Sequence, residues 1–260
     1  MDAPFRWQRR EELPFTKENF AALLDNEIPA LRIRGFASQA ECKQFIGAMD
    51  GANMQYYRLA PVGYIGTAQV EYRWGKSKAD YFEACARAWK DWHYVVDRSW
   101  NPLERMMKMV ADLTGKPTRV ADEPEGRCFA GIIRKASKGT GRHVDYAPMN
   151  TPGWNIARID QQLGWNLFFE APLVGGETTI WNKPWNVKAE AGKEPPMSYG
   201  LGNDAISGAE SWTYKAVDGD VVIFNTRNPH EISGGKDGRE RLQIGSFIGR
   251  MPDRSFVFWS

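Results

Sequence analysis

Apolar and polar positions change their period part-way along this chain. In the first part they recur mainly at helical spacing, with a strand or two expected between. The stretch SQAECKQFIGAMD places Cys42, Phe45, Ile46 and Met49 on one side of a helix and opens with Ser38 and Glu41 at capping-box spacing. KADYFEACARAWKDWHYVV and PLERMMKMVADLTG predict two longer helices, divided near Asn101 and Pro102 and stopped at Gly115 ahead of Pro117. Between the helical blocks lies QYYRLAPVGYIGTAQVEYRWGKS, rich in Tyr and Gly and without a clear period, which predicts a long loop or lid.

From about residue 117 the period shortens. RCFAGIIRKA, LGWNLFFEAP, ETTIWNK, GDVVIFN, RLQIGSFIG and SFVFW are short apolar or alternating runs separated by Gly, Pro and Asn. Strands with turn signals between them predict a β-sandwich or barrel. The expected fold is therefore α+β, mainly β: a jelly roll of the cupin type over 117–260, with residues 1–116 as mainly helical support and lid, in a single domain spanning 1–260.

Composition narrows the function classes. With 42% hydrophobic and 25% charged residues in 260, the chain reads as an ordinary globular protein. A net charge of +2 gives no electrostatic footprint for nucleic acid or a membrane surface, and no apolar run approaches the roughly 20 residues of a membrane-spanning helix. The start, MDAPFRWQRREELPF, lacks the apolar segment of a signal peptide, and the odd set Cys42, Cys85 and Cys128, without a CxxC, fits a reducing cytoplasm and three core thiols.

The chemistry lies in three histidines, His93, His143 and His230. In GRHVDYAPMN, His143 and Asp145 are i and i+2, so in extended backbone they face one point while Val144 faces away. In GDVVIFNTRNPHEISGG an apolar strand ends and His230 follows Pro229. Two histidines and one carboxylate on a divalent metal form the triad of non-haem Fe(II) oxygenases. An isolated His-x-Asp pair is also a common surface feature, so the following strand carries weight. There Arg239, Arg241 and Gln243 alternate with Glu240, Leu242 and Ile244. An arginine turned into a barrel needs an anion, and a dicarboxylate cosubstrate supplies one. His93 sits among Trp89, Trp92 and Val96 and is expected to be a packed helical histidine outside the metal site.

HVD, then His230, then Arg241, resembles the Fe(II)/2-oxoglutarate-dependent oxygenase superfamily. GDVVIFNTRNPHEISGGKDGRERLQIGSFIG, DRSFVFWS and LGWNLFFEAPLVGGETTIWNKPWN resemble, more closely, the cyanobacterial indole-alkaloid carbon halogenases and related N-acyl amino acid hydroxylases. The match covers roughly 127–260, and earlier only GTAQ (66–69) and ADYF (79–82). The resemblance implies a double-stranded β-helix fold, His143, Asp145 and His230 as catalytic iron ligands, and Arg241 on the distal carboxylate of 2-oxoglutarate. Arg239 is the fallback if the register slips, and Thr178 in GGETT is a cosubstrate neighbour. Tyr64, Thr67, Arg73 and Trp74 in the segment 63–78 fall where such enzymes contact substrate, Arg73 pointing to a carboxylate, and Trp154 and Arg158, shortly after the HVD motif, are further candidates.

The resemblance thus implies Fe(II), 2-oxoglutarate and O2 as cofactors and a small carboxylated substrate, such as an amino acid derivative or natural-product intermediate. Halogenases of this kind carry a small residue where this chain has Asp145, which leaves a metal position for chloride. Here the carboxylate fills it, so oxidation of an unactivated C–H bond, with hydroxylation as the outcome, is the expected reaction. Desaturation or ring closure with the same cofactors is the alternative. More remote are a cupin-type zinc hydrolase or isomerase, with a carboxylate such as Glu177 as its acid or base, and a non-catalytic jelly-roll binding protein.

Overall fold

The computed structural model describes residues 6–57, 62–73, 76–185 and 200–260, the side chain of Arg73 excepted. Two sheets face one another. The larger has ten strands, whose main path runs Glu12–Pro14, Ala30–Ile33, Val221–Phe224, Gln161–Glu170, Arg241–Arg250, Ile132–Ala136, Val62–Ile65 and Gln55–Tyr56; Phe256–Trp259 and Thr118–Val120 branch from Arg241–Arg250. The smaller has four, in the order Ser211–Tyr214, Thr178–Trp181, His230–Ile232 and Thr140–His143.

Period-2 alternation divides the two central strands between two environments. Leu163, Trp165, Leu167 and Phe169 join Leu242, Ile244 and Ile248 in the main apolar cluster, which the helices cover. The opposite face, carrying Phe168, Val222 and Phe224, packs against Ile180 and Tyr214 of the small sheet. On that inner face Arg241, Gln243 and Gly245 lie along one strand, with Arg134 beside Gln243 on the next.

The helices form where capping and spacing agree. Lys78–Val96 starts at Ser77, whose hydroxyl accepts from the Asp80 amide while the Asp80 carboxylate accepts from the Ser77 amide. It buries Tyr81, Cys85, Ala88, Trp92, Val95 and Val96 along one stripe. Pro102–Thr114 is capped by Asn101 and ends at Gly115, whose φ of 65° is the left-handed cap conformation. Gln39–Ala48 has the expected capping box between Ser38 and Glu41. Lys17–Leu24, capped by Thr16, is a further helix that the apolar pattern did not single out.

Beside its helices the first half holds strands: Glu12–Pro14 and Ala30–Ile33 pair in parallel and extend the large sheet through Val221–Phe224. Two expectations need correction. The stretch expected as a lid supplies two strands, Gln55–Tyr56 and Val62–Ile65, the second paired with Ile132–Ala136, and then a 3-10 turn, Gln69–Arg73. Gly63 interrupts the apolar alternation there, which hides the strand. His93 is not packed. Its side chain is 59% exposed beside Asp97, because the stripe through Trp92 and Val96 turns it outward.

Among the described residues no helix is long and apolar enough to cross a membrane. All three cysteines are buried and unbridged, as expected. Burial pushes the thiols of Cys42 and Cys85 up to about 11 and that of Cys128 to about 12. Native protein at pH 8 is therefore expected to resist a chromogenic disulfide reagent, with all three thiols reacting once guanidinium unfolds it; rapid reaction in the native state would contradict the burial.

Candidate active site

The chain crosses between sheets at the turn after Val221–Phe224, and the crossing places His230. Asn225 makes the turn: its Oδ1 accepts from the Arg227 amide at 3.1 Å, and its carbonyl accepts from the Asn228 amide at 3.1 Å. His230 then opens its strand directly opposite His143, which closes the neighbouring one. Past His143 the backbone leaves the sheet, and the Asp145 amide donates to the Thr226 carbonyl at 3.0 Å.

The two imidazoles and the carboxylate therefore converge. Each Nε2 lies 3.7 Å from Asp145 Oδ2, and one potential ligand atom from each residue falls within 4.8 Å of the others. The Nδ1 atoms face backbone carbonyls, Gly141 for His143 at 2.8 Å and Asn228 for His230 at 2.9 Å. A carbonyl only accepts, so each Nδ1 carries the proton and each Nε2 turns a lone pair inward. Burial, then the neighbouring His143, hold the His230 pKa well below its ordinary value, which keeps that ring neutral. The arrangement fits an octahedral divalent metal with three adjacent protein donors.

Arg241 lies on the facing sheet. Its Nε donates to Gln243 Oε1 at 2.5 Å, its Nη1 approaches Thr178 Oγ1 at 3.3 Å and the Gly176 carbonyl at 3.4 Å, and the guanidinium stands over the Phe168 ring. Burial lowers its pKa, an effect that the adjacent Tyr214 partly offsets. The side chain is buried, and no carboxylate among the described residues pairs with it. A buried cation held only by neutral acceptors fits an incoming carboxylate. Thr178 is next to this cation. Arg239 is exposed just before the strand, so the register places Arg241 inward. At Gly175 a Cβ would stand 2.3 Å from the Gly234 carbonyl; this close approach of two loops helps to set Thr178 beside Arg241.

The other expected residues distribute differently. Tyr64 is on the inner face of the large sheet, stacked on Tyr57 at 4.3 Å. Thr67 is buried, its hydroxyl 3.4 Å from that of Tyr72. Arg158 is exposed on the 3-10 turn Asn155–Arg158, which sets it apart from the buried site. Trp154 packs on Tyr81 and Phe82 and borders a cavity of about 250 Å³ shared with Gln69, Tyr72, Met149 and Asn150. Trp74 and the side chain of Arg73 lie outside the described residues. Glu177 is bound to the Ser233 hydroxyl at 2.7 Å, which lowers its pKa and ill suits it to the proton transfer that a zinc hydrolase would ask of it.

Several supporting residues were not singled out from the sequence. The buried Gln162 amide accepts from the Ala147 amide and donates to the Asp145 carbonyl and Thr226 hydroxyl, clamping the turn that carries Asp145. Asn228, whose carbonyl orients His230, donates its own amide to Asn26 Oδ1 at 2.7 Å, and Asn26 donates to Asn182 Oδ1 at 2.8 Å. Asn26 has a φ of 61°, a conformation Asn tolerates, and that is the one local hint.

Fold and site together define an Fe(II)- and 2-oxoglutarate-dependent oxygenase. Over residues 11–260 the chain matches the family described as "Carrier-protein-independent halogenase WelO5", and it belongs to that family. Leucinostatins biosynthesis cluster protein S of Purpureocillium lilacinum is 30% identical over 212 residues, 77% of this chain and 86% of that protein. The L-gamma-glutamyl-L-propargylglycine hydroxylase of Streptantibioticus cattleyicolor is 24% identical over 96% of this chain and 95% of its own. The crystal structure of an N-substituted L-amino acid dioxygenase from Burkholderia ambifaria superposes with a TM-score of 0.63 at 16% identity, covering 94% of this chain and 91% of that one, and so shares the fold.

If Asn228 and Asn26 orient His230, Asn26→Gly, which keeps the backbone conformation and removes the amide, is expected to weaken Co(II) binding about tenfold in a competition titration. Unchanged affinity would show that the Asn228 carbonyl is held without Asn26.

Proposed function

We propose that this enzyme hydroxylates an unactivated C–H bond of a small, carboxylated molecule of the amino acid type, using a single domain with a double-stranded β-helix at its centre. The observation that carries the reading is the Asp145 carboxylate, 3.7 Å from both Nε2 atoms. His143, Asp145 and His230 would hold iron, and Arg241 with Thr178 would hold the distal carboxylate of 2-oxoglutarate. When bound, iron and 2-oxoglutarate supply the oxidising power with O2, releasing succinate and CO2. The chain's part is to orient and exclude. Arg241 anchors the cosubstrate from the sheet opposite the triad, and Phe168 and Phe224 keep water from the space between.

Membership of a halogenase family makes Asp145 the decisive residue. A chain with three protein donors keeps no position for halide once the cosubstrate chelates and O2 binds. The names of the Streptantibioticus and Burkholderia relatives, a hydroxylase and a dioxygenase of amino acid derivatives, support the same outcome and the same substrate class.

Anaerobic titration of the apoprotein with Fe(II) and then 2-oxoglutarate is expected to give the weak visible charge-transfer band of the chelate. His143→Ala should abolish it, and Arg241→Ala should raise the 2-oxoglutarate concentration needed at least tenfold. Absence of the band with folded wild-type protein would reject the assignment. With the band present, a brominated or chlorinated product in the presence of halide would reject hydroxylation.

A further inference from the structure

Among the described residues, two carboxylates outside the metal and cosubstrate sites have a buried oxygen without a hydrogen bond: Glu210, whose oxygen is ion-paired with Arg10, and Glu71. Glu71, on the turn Gln69–Arg73, is half-buried, and its Oε1 is buried with no hydrogen-bond partner among the described residues. The carboxyl accepts from the Tyr57 hydroxyl. Burial raises its pKa, and Lys76, Arg134 and Tyr57 pull it back down. Lys76 itself places its ammonium over the Tyr72 ring at 4.8 Å.

This group connects to the space between the sheets. Arg134 Nε points at the Tyr57 hydroxyl from 3.5 Å, and Arg134 lies between Tyr64 and Gln243 on the inner face. A Cβ at Gly245 would stand 3.8 Å from Arg134 Nη1 and 2.9 Å from Asn166 Oδ1, so this guanidinium extends over the central strands. Gln243 in turn accepts from Arg241. Glu71, Tyr57, Arg134 and Gln243 thus form a polar line from the edge strand to the residue expected to hold the cosubstrate.

We propose that Glu71, walled by the stacked rings of Tyr57 and Tyr64, binds a protonated amine of the substrate, so that the enzyme selects a free amino group over an acylated one. A partly buried carboxylate with one unmet oxygen is costly, and an ammonium supplies both the hydrogen bond and the charge. Tyrosine faces add attraction for a cation. Across Tyr57, Arg134 presents the opposite sign, and the pair has the polarity of an amino acid head group. This rests on the oxygenase reading above, since it takes the space between the sheets as the substrate pocket.

The test uses full-length protein loaded with Fe(II) and 2-oxoglutarate, after the chelate band has been seen, so loss of the oxygenase reading shows itself first. The probes are the common L-amino acids and their N-acetyl derivatives, scored by perturbation of the band and by succinate release. At least one free amino acid is expected to respond where its N-acetyl counterpart does not. In Glu71→Gln the half-saturating concentration should rise at least tenfold with the chelate band retained, and Tyr57→Phe should shift it in the same direction. Response to N-acetyl derivatives in preference, silence of every free amine, or an unshifted Glu71→Gln carrying the band would each overturn it. If Glu71→Gln loses the band, Tyr57→Phe decides: an unshifted concentration overturns the proposal and a raised one sustains it.

Discussion

The guanidinium of Arg241 is enclosed by protein and held by Gln243, Thr178 and the Gly176 carbonyl, none of which carries charge. Keeping a cation there opposes folding, because desolvation of a charge costs several kcal/mol before any partner is counted. The strand bears it because its other face, through Leu242, Ile244 and Ile248, is fully committed to the main apolar cluster. One strand thus supplies both the stability and the charge that spends it. The same division runs through Gln161–Glu170, where Trp165 and Leu167 face the helices while Asn166 and Phe168 face the site.

The opposite wall depends on backbone rather than on charge. His143 and His230 are aligned by cross-strand pairing, and carbonyls at Gly141 and Asn228 set both rings. Asp145 is outside the sheet, and it is fixed through its backbone by Thr226 and the Gln162 amide. A metal placed among these groups would meet a preorganised set of donors, which is what limits the cost of ordering them on binding. Membership of a halogenase family and possession of Asp145 are compatible on this view. A carboxylate at one position would change what a metal there can accept, while the sheets that present it are set by backbone pairing.

Much of this was legible along the chain because the signals are short-range. Ser38 with Glu41 marks a helix start, Gly115 marks an end, and both depend on backbone groups within one turn. His143 and Asp145 share a direction because they are two residues apart in extended chain. Arg241 and Gln243 share one for the same reason, and burial of both strand faces turns that direction into an interior one. Even there, local reading had limits: His93 shares a helix with Trp92 yet faces solvent, since one step along a helix is a large rotation.

Residue types at fixed local spacing account for the shared direction of His143 and Asp145, the inward arginine and the helix limits. Tertiary structure decided what pairs at long range. The parallel pairing of Glu12–Pro14 with Ala30–Ile33, the Asn26 amide on Asn228, the Gln162 clamp on Asp145 and the line from Glu71 through Tyr57 to Arg134 all join segments whose separation leaves no periodic trace. A hydrogen-bonding side chain reads the same in sequence whether it meets water or a buried partner. Only the packing of the two sheets chooses between them, because burial is what removes the water.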